Sequence, residues 1–506
     1  MVWGVHATFS PVSAGFMEND TRHPSQIFLD VPLAPGYLMY LAKADIDIFN
    51  FLESYKIKKD EKISTALELY IQDFSEASAN YFNARRIGRT SWYAATEVVK
   101  CPISVYRMVR RFVMQLKDAT KEFESVGNQD IPPKISNLLS LVAYPTLDDF
   151  HETMESILNL QQFYGLKPSK LVHGRILTIQ ANASLNAIHA LEIGKFALSK
   201  KQYTLSLSWL YAAKDLYRDA GMTSSVEIDT LVTKLVDQHD TDYDSELSTG
   251  LYFFEEKLSN NMSARTMREV KMKNYYGIAP SGHESYQGDV AYYNLLNICN
   301  GNEFVPESVK KTLFCRLETK QNPYFAINPI KMEVLSHDPY AVMMHKVFPK
   351  YYFRSTWSSS ASAAVVKSSV SLASLELEAA GLSKMSHEAS DPRPGSTYRI
   401  VAAINKAHFK DTALHPGLVS KMEFLTKVKI KGKASDTYVI NSYLHGAPAI
   451  MHCDHLYGLD DYGLPTKGHR LSSIVLYMTD VEEGGGTAFP NLGFRTYAEA
   501  GSMLYW

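Results

Sequence analysis

Residues 470–506 read RLSSIVLYMTDVEEGGGTAFPNLGFRTYAEAGSMLYW, and this stretch decides the fold of the C-terminal part of the chain. Within it, residues 471–478 are apolar and rich in β-branched side chains, a composition typical of a buried strand. The glycines of residues 484–490 (GGGTAFP) allow the backbone to reverse sharply, and residues 502–506 form another short strand pattern. Several short strands joined by Gly-rich turns predict an antiparallel double-sheet barrel of the jelly-roll kind.

A candidate metal site precedes this stretch at His452 and Asp454. Two residues that are two positions apart on a strand point to the same face. A histidine and a carboxylate placed in this way supply two of the three ligands in the 2-His-1-carboxylate triad of non-haem Fe(II) oxygenases. Because the chain has 16 histidines, such a triplet also arises by chance, and a surface histidine beside an aspartate is the alternative interpretation.

Several short motifs of the C-terminal part occur together in one known family. They are Tyr443, His452-Cys-Asp454, residues 477–481 (YMTDV), residues 484–490 (GGGTAFP) and residues 504–506 (LYW). In this combination and order, the region resembles the catalytic domain of collagen prolyl 4-hydroxylase α subunits, which are Fe(II)/2-oxoglutarate dioxygenases. The resemblance implies the double-stranded β-helix fold of that domain.

The resemblance also implies roles for individual residues. His452 and Asp454 would bind Fe(II) together with a second histidine, and L-ascorbate would restore iron that becomes oxidised. Tyr443 and Thr487 match motif positions that face the pocket for the cosubstrate 2-oxoglutarate; alternatively, Tyr443 belongs to the core and Thr487 packs in a strand. In the family, a second iron-binding histidine and a lysine for 2-oxoglutarate lie at positions beyond Trp506. We therefore expect the catalytic domain to be incomplete here.

The length of 506 residues is enough for about three domains, and the patterns along the chain predict an α+β multidomain protein. Its parts are a helical bundle or coiled-coil N-terminal domain, a tetratricopeptide-like domain, a linker region with the start of the catalytic domain, and a truncated dioxygenase domain. The predicted boundaries are 30–140, 145–260, 261–395 and 396–506, respectively.

Helical periodicity supports the first two of these domains. Apolar residues recur at three- and four-residue steps over residues 63–77 and again over residues 105–116, which lays one apolar stripe along each helix. Such stripes usually form a bundle core, whereas the family resemblance implies that this region pairs two α subunits. Further along, Thr146 and Asp149 resemble a capping box that opens a helix.

The tetratricopeptide-like prediction rests on a helix pair with a small residue, Gly194, followed by Tyr203 and an alanine pair at 212–213. The family has its peptide-substrate-binding domain in this region. Aromatic side chains could line a groove for a polyproline II peptide there, although ordinary core packing is the alternative for at least half of them. The candidate substrate-binding residues are Tyr203, Trp209, Tyr211 and Tyr217.

Cys299 and Cys315 are separated by a short polar loop, a spacing that could close a disulfide in an oxidising compartment. Free thiols are the alternative. The family has a disulfide in the corresponding place, so the resemblance favours the bond.

Composition excludes some classes of function. The net charge is −2 and the chain lacks a basic patch, which argues against a nucleic-acid partner. No run of 18 apolar residues occurs, so no membrane span is predicted.

The resemblance implies a procollagen-proline 4-dioxygenase α subunit that hydroxylates X-Pro-Gly peptides in the lumen of the endoplasmic reticulum. Its partners would be protein disulfide isomerase and a second α subunit in an α2β2 tetramer, with procollagen peptide as substrate. Two alternatives remain: a non-catalytic collagen-peptide-binding subunit, or a 2-oxoglutarate oxygenase that acts on another peptide.

Overall fold

The structure of the protein is a computed structural model. It describes residues 4–9, 35–59, 65–116, 131–139, 144–221, 225–249, 257–261, 294–319, 323–349, 383–385, 399–404, 417–430, 438–443, 445–446, 454 and 471–506. These residues fall into two compact units. The first lies within Tyr37–Asn300, and the second lies within Met1–Gly36, Gly301–Met385 and Tyr398–Trp506.

The first unit is helical. Its α-helices are Pro35–Lys59 (α1), Thr65–Ala77 (α2), Ala79–Arg86 (α3), Ser91–Val99 (α4), Pro102–Arg110 (α5), Ile131–Leu139 (α6), Leu147–Tyr164 (α7), Pro168–Leu171 (α8), Ala187–Ser199 (α9), Tyr203–Asp219 (α10) and Ser225–Thr249 (α11). A π-helical turn over Arg111–Leu116 extends α5, a 3-10 turn covers Leu258–Asn261, and the short strands Arg175–Ile176 (β2) and Ile179–Gln180 (β3) form a hairpin.

The predicted apolar stripes are confirmed as core. Leu67, Tyr70 and Phe74 of α2 are buried, as are Met108 and Phe112 on α5 and the π-helical turn. The predicted capping box is also confirmed: the Thr146 hydroxyl accepts from the Asp149 N–H, and the Asp149 carboxylate accepts from the Thr146 N–H. These two reciprocal hydrogen bonds satisfy amide groups that the helix cannot pair internally, and they fix the start of α7.

The helix pair α9–α10 packs closely at Gly194. A Cβ atom at this position would lie 3.1 Å from the Leu210 side chain, and the Ser206 hydroxyl donates to the Gly194 carbonyl at 2.7 Å. The small residue therefore lets the two helices approach, as the sequence pattern predicted. Whether the pair belongs to a tetratricopeptide-like array stays a prediction.

A buried ionic cluster joins the first helices of this unit. Arg111 donates to Asp45 at 2.5 Å and to Asp73 at 2.9 Å, while Arg107 donates to Asp73 at 2.6 Å. All four side chains are almost completely buried. Buried charges persist only when they are paired and hydrogen-bonded, so this cluster fixes α1, α2 and α5 in one arrangement.

Several hydrogen bonds join helices on the two sides of the boundary predicted between residues 140 and 145, which stays a prediction. Arg110 and Tyr106 of α5 both donate to the carboxylate of Glu192 on α9, and Arg107 donates to the Ser184 carbonyl at 3.1 Å. These contacts cross the predicted boundary. The N-terminal helices and the α9–α10 pair therefore share one compact unit.

The second unit is built on an antiparallel sheet. Its strands are Gly4–Phe9 (β1), Cys315–Glu318 (β4), Ile330–His337 (β5), Tyr340–His345 (β6), Ser383–Met385 (β7), Arg399–Ile404 (β8), Tyr438–Tyr443 (β9), Ile474–Tyr477 (β10), Ala488–Phe489 (β11), Phe494–Arg495 (β12) and Met503–Tyr505 (β13). Its helices are Glu307–Lys310 (α12), Pro323–Ile327 (α13) and Gly417–Thr426 (α14). Nine strands form one sheet in the order β4-β5-β6-β13-β10-β1-β9-β8-β7, and β11 pairs with β12 alone.

The sheet is covered on both faces at β10. Ile474 and Leu476 pack with residues of α13 and α14, whereas Val475 and Tyr477 pack with Phe489 of the β11–β12 hairpin. This alternation follows from the two-residue period of a strand, and it explains why the strand is apolar on both sides, as its sequence predicted.

Two predictions concern this unit: its boundary at 395/396 and its architecture. The strands β4, β5 and β6 join β13 in the same sheet, so strands from both sides of the predicted boundary pair with each other, and the boundary stays a prediction. The sequence was also expected to form a double-sheet barrel; the described strands form one large sheet with the β11–β12 hairpin packed on it, and the barrel stays a prediction.

Candidate functional site

The candidate metal ligand Asp454 is held beside the start of β10. Its carboxylate accepts a hydrogen bond from the Ser473 hydroxyl, and Asp454 is partly buried whereas Ser473 is buried. The Ser473 backbone is fixed in turn by two hydrogen bonds with Trp506, of 2.8 and 3.2 Å. A carboxylate oriented in this way is an oxygen ligand of the class that Fe(II) takes in the 2-His-1-carboxylate triad.

The other predicted ligand, His452, lies outside the described residues. Within the part of the chain that the structure describes, no group of three or more His, Cys, Asp or Glu side chains could hold a metal ion. The fit to iron therefore rests on Asp454, and the role of His452 stays a prediction.

The candidate cosubstrate residue Thr487 belongs to a cluster of three hydroxyl groups. Its Oγ1 lies 2.8 Å from the Tyr477 Oη, which lies 2.7 Å from the Thr496 Oγ1. The Thr487 N–H donates to the Thr496 hydroxyl at 3.0 Å, and the Thr496 N–H donates to the Thr487 carbonyl at 2.8 Å. Thr487 is thus fixed through both its backbone and its hydroxyl group.

Steric constraints explain why glycines precede Thr487. At Gly486 a Cβ atom would lie 1.7 Å from the Thr496 carbonyl oxygen, which is closer than two non-bonded atoms can approach. At Gly485 the backbone has a φ of 68°, in the left-handed region that glycine tolerates best. The two glycines therefore permit the close approach that lets residue 487 reach Thr496 and Tyr477.

Tyr477 is completely buried at the centre of this cluster. Burial raises the pKa of its phenol, while the hydrogen bonds with Thr487 and Thr496 lower it and the nearby Tyr443 raises it. The net increase in pKa keeps Tyr477 protonated at neutral pH, so that its hydroxyl can donate a hydrogen bond.

Tyr443, the second candidate cosubstrate residue, lies on the same face of the sheet as Tyr477. Strand β1 runs between their strands, with Gly4 opposite Tyr443 and His6 opposite Tyr477. Residues 4 and 6 share a face because strand residues alternate. The effect of Tyr443 on the pKa of Tyr477 agrees with this placement, and strand β1 separates the two residues.

Asp454 approaches the same face at the other end of β10. Ser473, which binds Asp454, is four residues before Tyr477 and therefore shares its face, about 13 Å away at roughly 3.3 Å per residue. The site consequently has a carboxylate at one end and a group of buried hydroxyls at the other. The carboxylate and the hydroxyl groups therefore lie at opposite ends of β10, on one face of the sheet.

The four aromatic candidates for peptide binding are placed differently from one another. Trp209 is fully buried, with its Nε1 donating to Gln161 at 2.8 Å. Tyr203 is also buried and donates to Asp242 at 2.5 Å. These two rings support the core interpretation and offer almost no surface to a peptide. Tyr211 and Tyr217 are partly exposed on α10, so the groove prediction now depends on them.

The predicted disulfide between Cys299 and Cys315 is not formed in this structure. Cys315 is an exposed, free thiol at the first position of the edge strand β4, where its side chain faces solvent. The free-thiol alternative therefore describes this residue.

Sequence reasoning did not assign roles to Ser473, Tyr477 or Thr496. The sequence could have indicated two of them: Ser473 and Tyr477 are four positions apart in the strand that follows the His-x-Asp triplet, so their side chains point to the same face. Thr496 carried no signal, since only the folded hairpin brings it back to Thr487.

Comparison with known proteins gives consistent results across the chain. Residues 37–178 match the family model described as the N-terminal region of the prolyl 4-hydroxylase α subunit. The chain is 23% identical to the chicken (Gallus gallus) prolyl 4-hydroxylase subunit alpha-2, over 93% of this chain and 86% of that protein. It is 22% identical to the Caenorhabditis elegans subunit alpha-2, over 94% and 85%. It is also 24% identical to the human subunit alpha-1, over 80% and 76%.

Proposed function

Because the chain belongs to the prolyl 4-hydroxylase α-subunit family, we propose that it catalyses the 4-hydroxylation of proline in collagen-like X-Pro-Gly peptides. The observation that carries this proposal is the shared face of β10, where Ser473 holds Asp454 at one end and Tyr477 contacts Thr487 at the other. The family resemblance of the C-terminal motifs and the relatives described above both support it.

Asp454 and His452 would hold Fe(II), and L-ascorbate would keep this iron reduced. With 2-oxoglutarate and O2, iron in such a site supplies the oxidising power for hydroxylation, with release of succinate and CO2. In this chain, Ser473 orients the Asp454 carboxylate toward the site. Thr487 and Tyr443 would bind and orient 2-oxoglutarate from the hydroxyl end of the same face.

The burial of the site supports this role for Thr487. Tyr477 and Thr496 are buried beneath it, and the aromatic rings of Phe489 and Trp506 pack against this part of the sheet. Hydroxyl donors in a place of low dielectric constant bind an anion more strongly than they do in water.

The peptide would bind to the helical unit, at the exposed side of α10 that carries Tyr211 and Tyr217. Rings of this kind bind polyproline II segments because such segments lose little conformational entropy on binding.

As for the described helices, none has both the length and the apolar character that crossing a membrane requires. Our proposal places the protein in the lumen of the endoplasmic reticulum, with protein disulfide isomerase and a second α subunit as partners.

The test is to co-express the full chain with protein disulfide isomerase and to supply a (Pro-Pro-Gly)n peptide, Fe(II), 2-oxoglutarate and ascorbate. The proposal predicts turnover where a histidine besides His452 completes the metal site: coupled formation of succinate and 4-hydroxyproline, and their loss in the His452→Ala variant. Peptide binding without any turnover would contradict it and would favour the non-catalytic peptide-binding subunit. Turnover that His452→Ala leaves unchanged would show that the metal site is elsewhere.

A further inference from the structure

The turn between α3 and α4 carries a group of exposed arginine and apolar side chains. Ile87 is 62% exposed, Tyr93 45% and Trp92 37%, and the arginines beside them are exposed as well. We call the following residues the turn surface: Arg85, Arg86, Ile87, Arg89, Trp92 and Tyr93. A group of exposed apolar side chains with polar residues at its rim is typical of a binding surface.

The exposed side chains of the turn surface are not the ones that hold the two helices in the unit. Helix α4 packs through other residues, which are buried: Ala94, Ala95, Val98 and Val99. Helix α3 packs through Tyr81 and Ala84, which are buried too. The exposed part of the turn surface is therefore available to a partner.

The turn is fixed in place by contacts within the unit. The Arg89 N–H donates to the Ala84 carbonyl at 2.8 Å, which ties the turn to the end of α3. The Trp92 ring packs edge to face against Tyr40 of α1, with 5.1 Å between the ring centroids. A surface that is arranged in advance loses less conformational entropy when it binds.

The turn surface has positive charge without local compensation. Residues 79–93 (ANYFNARRIGRTSWY) contain three arginines and no aspartate or glutamate. Arg85 lies 3.6 Å from Glu53, but both side chains are exposed, so the pair is weak. Within the described part of the chain, no ion pair neutralises Arg86 or Arg89. The Arg89 guanidinium instead lies over the Tyr93 ring, 5.5 Å from its centroid.

An acidic peptide segment fits this combination of groups. A guanidinium group binds a carboxylate through two parallel hydrogen bonds, and arginine, tryptophan and tyrosine are enriched among the residues that dominate the energy of protein interfaces. We propose that the turn surface docks an acidic segment of a partner protein, whose carboxylates bind Arg86 and Arg89 and whose apolar side chains contact Ile87. This docking would be independent of the catalytic role proposed above.

Other classes of partner fit the turn surface less well. Attachment to anionic lipids takes a cluster of about four to eight cations, and a nucleic acid takes a basic stripe along a whole face, whereas the turn has three arginines. A proline-rich peptide needs aromatic rings but no cations. Charge complementarity therefore favours the acidic peptide.

The test is the binding of a labelled acidic peptide, (Asp-Glu-Leu)n, to the full chain, followed by fluorescence anisotropy. The uncharged peptide (Asn-Gln-Leu)n has the same length and apolar content, and we expect it to bind at least about tenfold more weakly. Raising the salt concentration from about 0.1 M to about 1 M should weaken the binding of the acidic peptide, because the Debye length falls from about 10 Å to about 3 Å.

Arg86→Gln/Arg89→Gln removes the two uncompensated charges and is expected to raise the Kd of the acidic peptide about tenfold. The matched control, Arg175→Gln/Arg218→Gln, removes two exposed arginines elsewhere in the same unit and should change this Kd by less than about twofold. Ile87→Ser should raise the Kd about threefold, because it removes an apolar contact. Since all these side chains are exposed, the midpoint of urea unfolding should stay unchanged in each variant.

Selective loss of acidic-peptide binding in the turn variants would support the proposal. Absence of binding, binding that Arg86→Gln/Arg89→Gln leaves unchanged, or equal weakening in the control variant would overturn it. Binding of phosphatidylserine vesicles or of (Pro-Pro-Gly)n that needs these arginines, without binding of the acidic peptide, would also overturn it and would assign the surface to that other partner. Self-association of the unaltered chain that Arg86→Gln/Arg89→Gln abolishes, measured by sedimentation, would contradict it by showing that a second copy covers the turn.

Discussion

Arg110 pairs with Glu192 through two parallel hydrogen bonds, of 2.8 Å from Nε and 2.7 Å from Nη2. The pair is only partly exposed, and Glu192 accepts a third hydrogen bond, of 2.8 Å, from Tyr106. Fork-to-carboxylate geometry of this kind is the strongest form of a charge-assisted hydrogen bond. The contact joins α5 to α9 across the boundary that the sequence predicted.

The first prediction concerns this pair. Glu192→Gln removes the negative charge that accepts hydrogen bonds from Arg110 and Tyr106. We expect this change to lower the free energy of unfolding by about 2 kcal/mol. Urea unfolding of the full chain, followed by far-ultraviolet circular dichroism, measures the effect. The exposed pair Lys195–Glu227 provides the control, because Glu227→Gln should cost less than about 0.5 kcal/mol. Equal effects of the two variants would mean that the α5–α9 contact contributes no special stability.

The second prediction concerns pH. Burial by itself would raise the pKa of Asp73, but Arg111 and Arg107 outweigh burial and lower the pKa from 3.8 to about 2. Since the folded pKa is below the unfolded value, this carboxylate contributes its full stabilisation above about pH 4. The contribution is lost as the pH falls toward 2. Unfolding midpoints measured between pH 6 and pH 2 should therefore decline in this window.

Asp73→Asn tests the assignment of that window. Removing the charge leaves Arg107 and Arg111 buried without this partner, at an expected cost of about 3–5 kcal/mol near pH 6. Between pH 4 and pH 2 the variant should then show a shallower decline than the unaltered protein. A parallel decline in both proteins would assign the acid sensitivity to other carboxylates.

The third prediction concerns the hairpin that carries Thr487. Gly486→Ala would place a methyl group 1.7 Å from the Thr496 carbonyl oxygen, so the hairpin must move, with a loss of about 3 kcal/mol in stability. The control is Gly301→Ala in the same unit, where nothing lies within 4 Å of the added Cβ atom and only the left-handed backbone costs about 1 kcal/mol. Thermal unfolding compares the two; a Gly486→Ala protein as stable as Gly301→Ala would contradict the packing described for this turn.

The fourth prediction separates aromatic core residues from candidate peptide contacts. Tyr211→Ala and Tyr217→Ala should each weaken binding of a (Pro-Pro-Gly)n peptide by about tenfold, because one good aromatic contact contributes about 1.4 kcal/mol. Neither variant should change the unfolding temperature by more than about 2 °C. Trp209→Ala should instead destabilise the helical unit by about 3–5 kcal/mol, because it empties a buried site. Fluorescence anisotropy with a labelled peptide measures the binding, and unchanged affinity in both tyrosine variants would move the peptide site elsewhere.

The sequence predicted elements whose causes are local. The stripe of α2, the capping box at Thr146 and the strand at residues 474–477 each depend on neighbours within a few positions, and all three were confirmed. The contacts that join helices across the predicted boundary at 140–145 are instead long-range. Arg110 and Glu192 are 82 residues apart in sequence, and no periodic pattern links them.

The same division holds within the candidate site. Thr487 and Tyr443 were predicted from motif positions; Thr487 lies within hydrogen-bond distance of Tyr477, and Tyr443 lies on the same face of the sheet, two strands away. The partner that fixes Thr487, Thr496, could not be predicted, because their contact arises only when the β11–β12 hairpin folds. The sequence did not predict the buried cluster around Arg111 for a similar reason. Arginine is usually exposed, and the burial of Arg111 depends on carboxylates from two other helices.

The measurement that tests the central claim most directly is electron paramagnetic resonance of Mn²⁺ bound to the full chain, with and without 2-oxoglutarate. Because only His452 and Asp454 are assigned as ligands, the account predicts a protein-bound Mn²⁺ signal only with excess metal, and a change in its line shape when 2-oxoglutarate is added. Asp454→Asn should abolish the bound signal, and Thr487→Val should require roughly tenfold more 2-oxoglutarate for the same change. A signal that persists in Asp454→Asn, or that 2-oxoglutarate leaves unchanged, would contradict the assignment of this face as a metal and cosubstrate site.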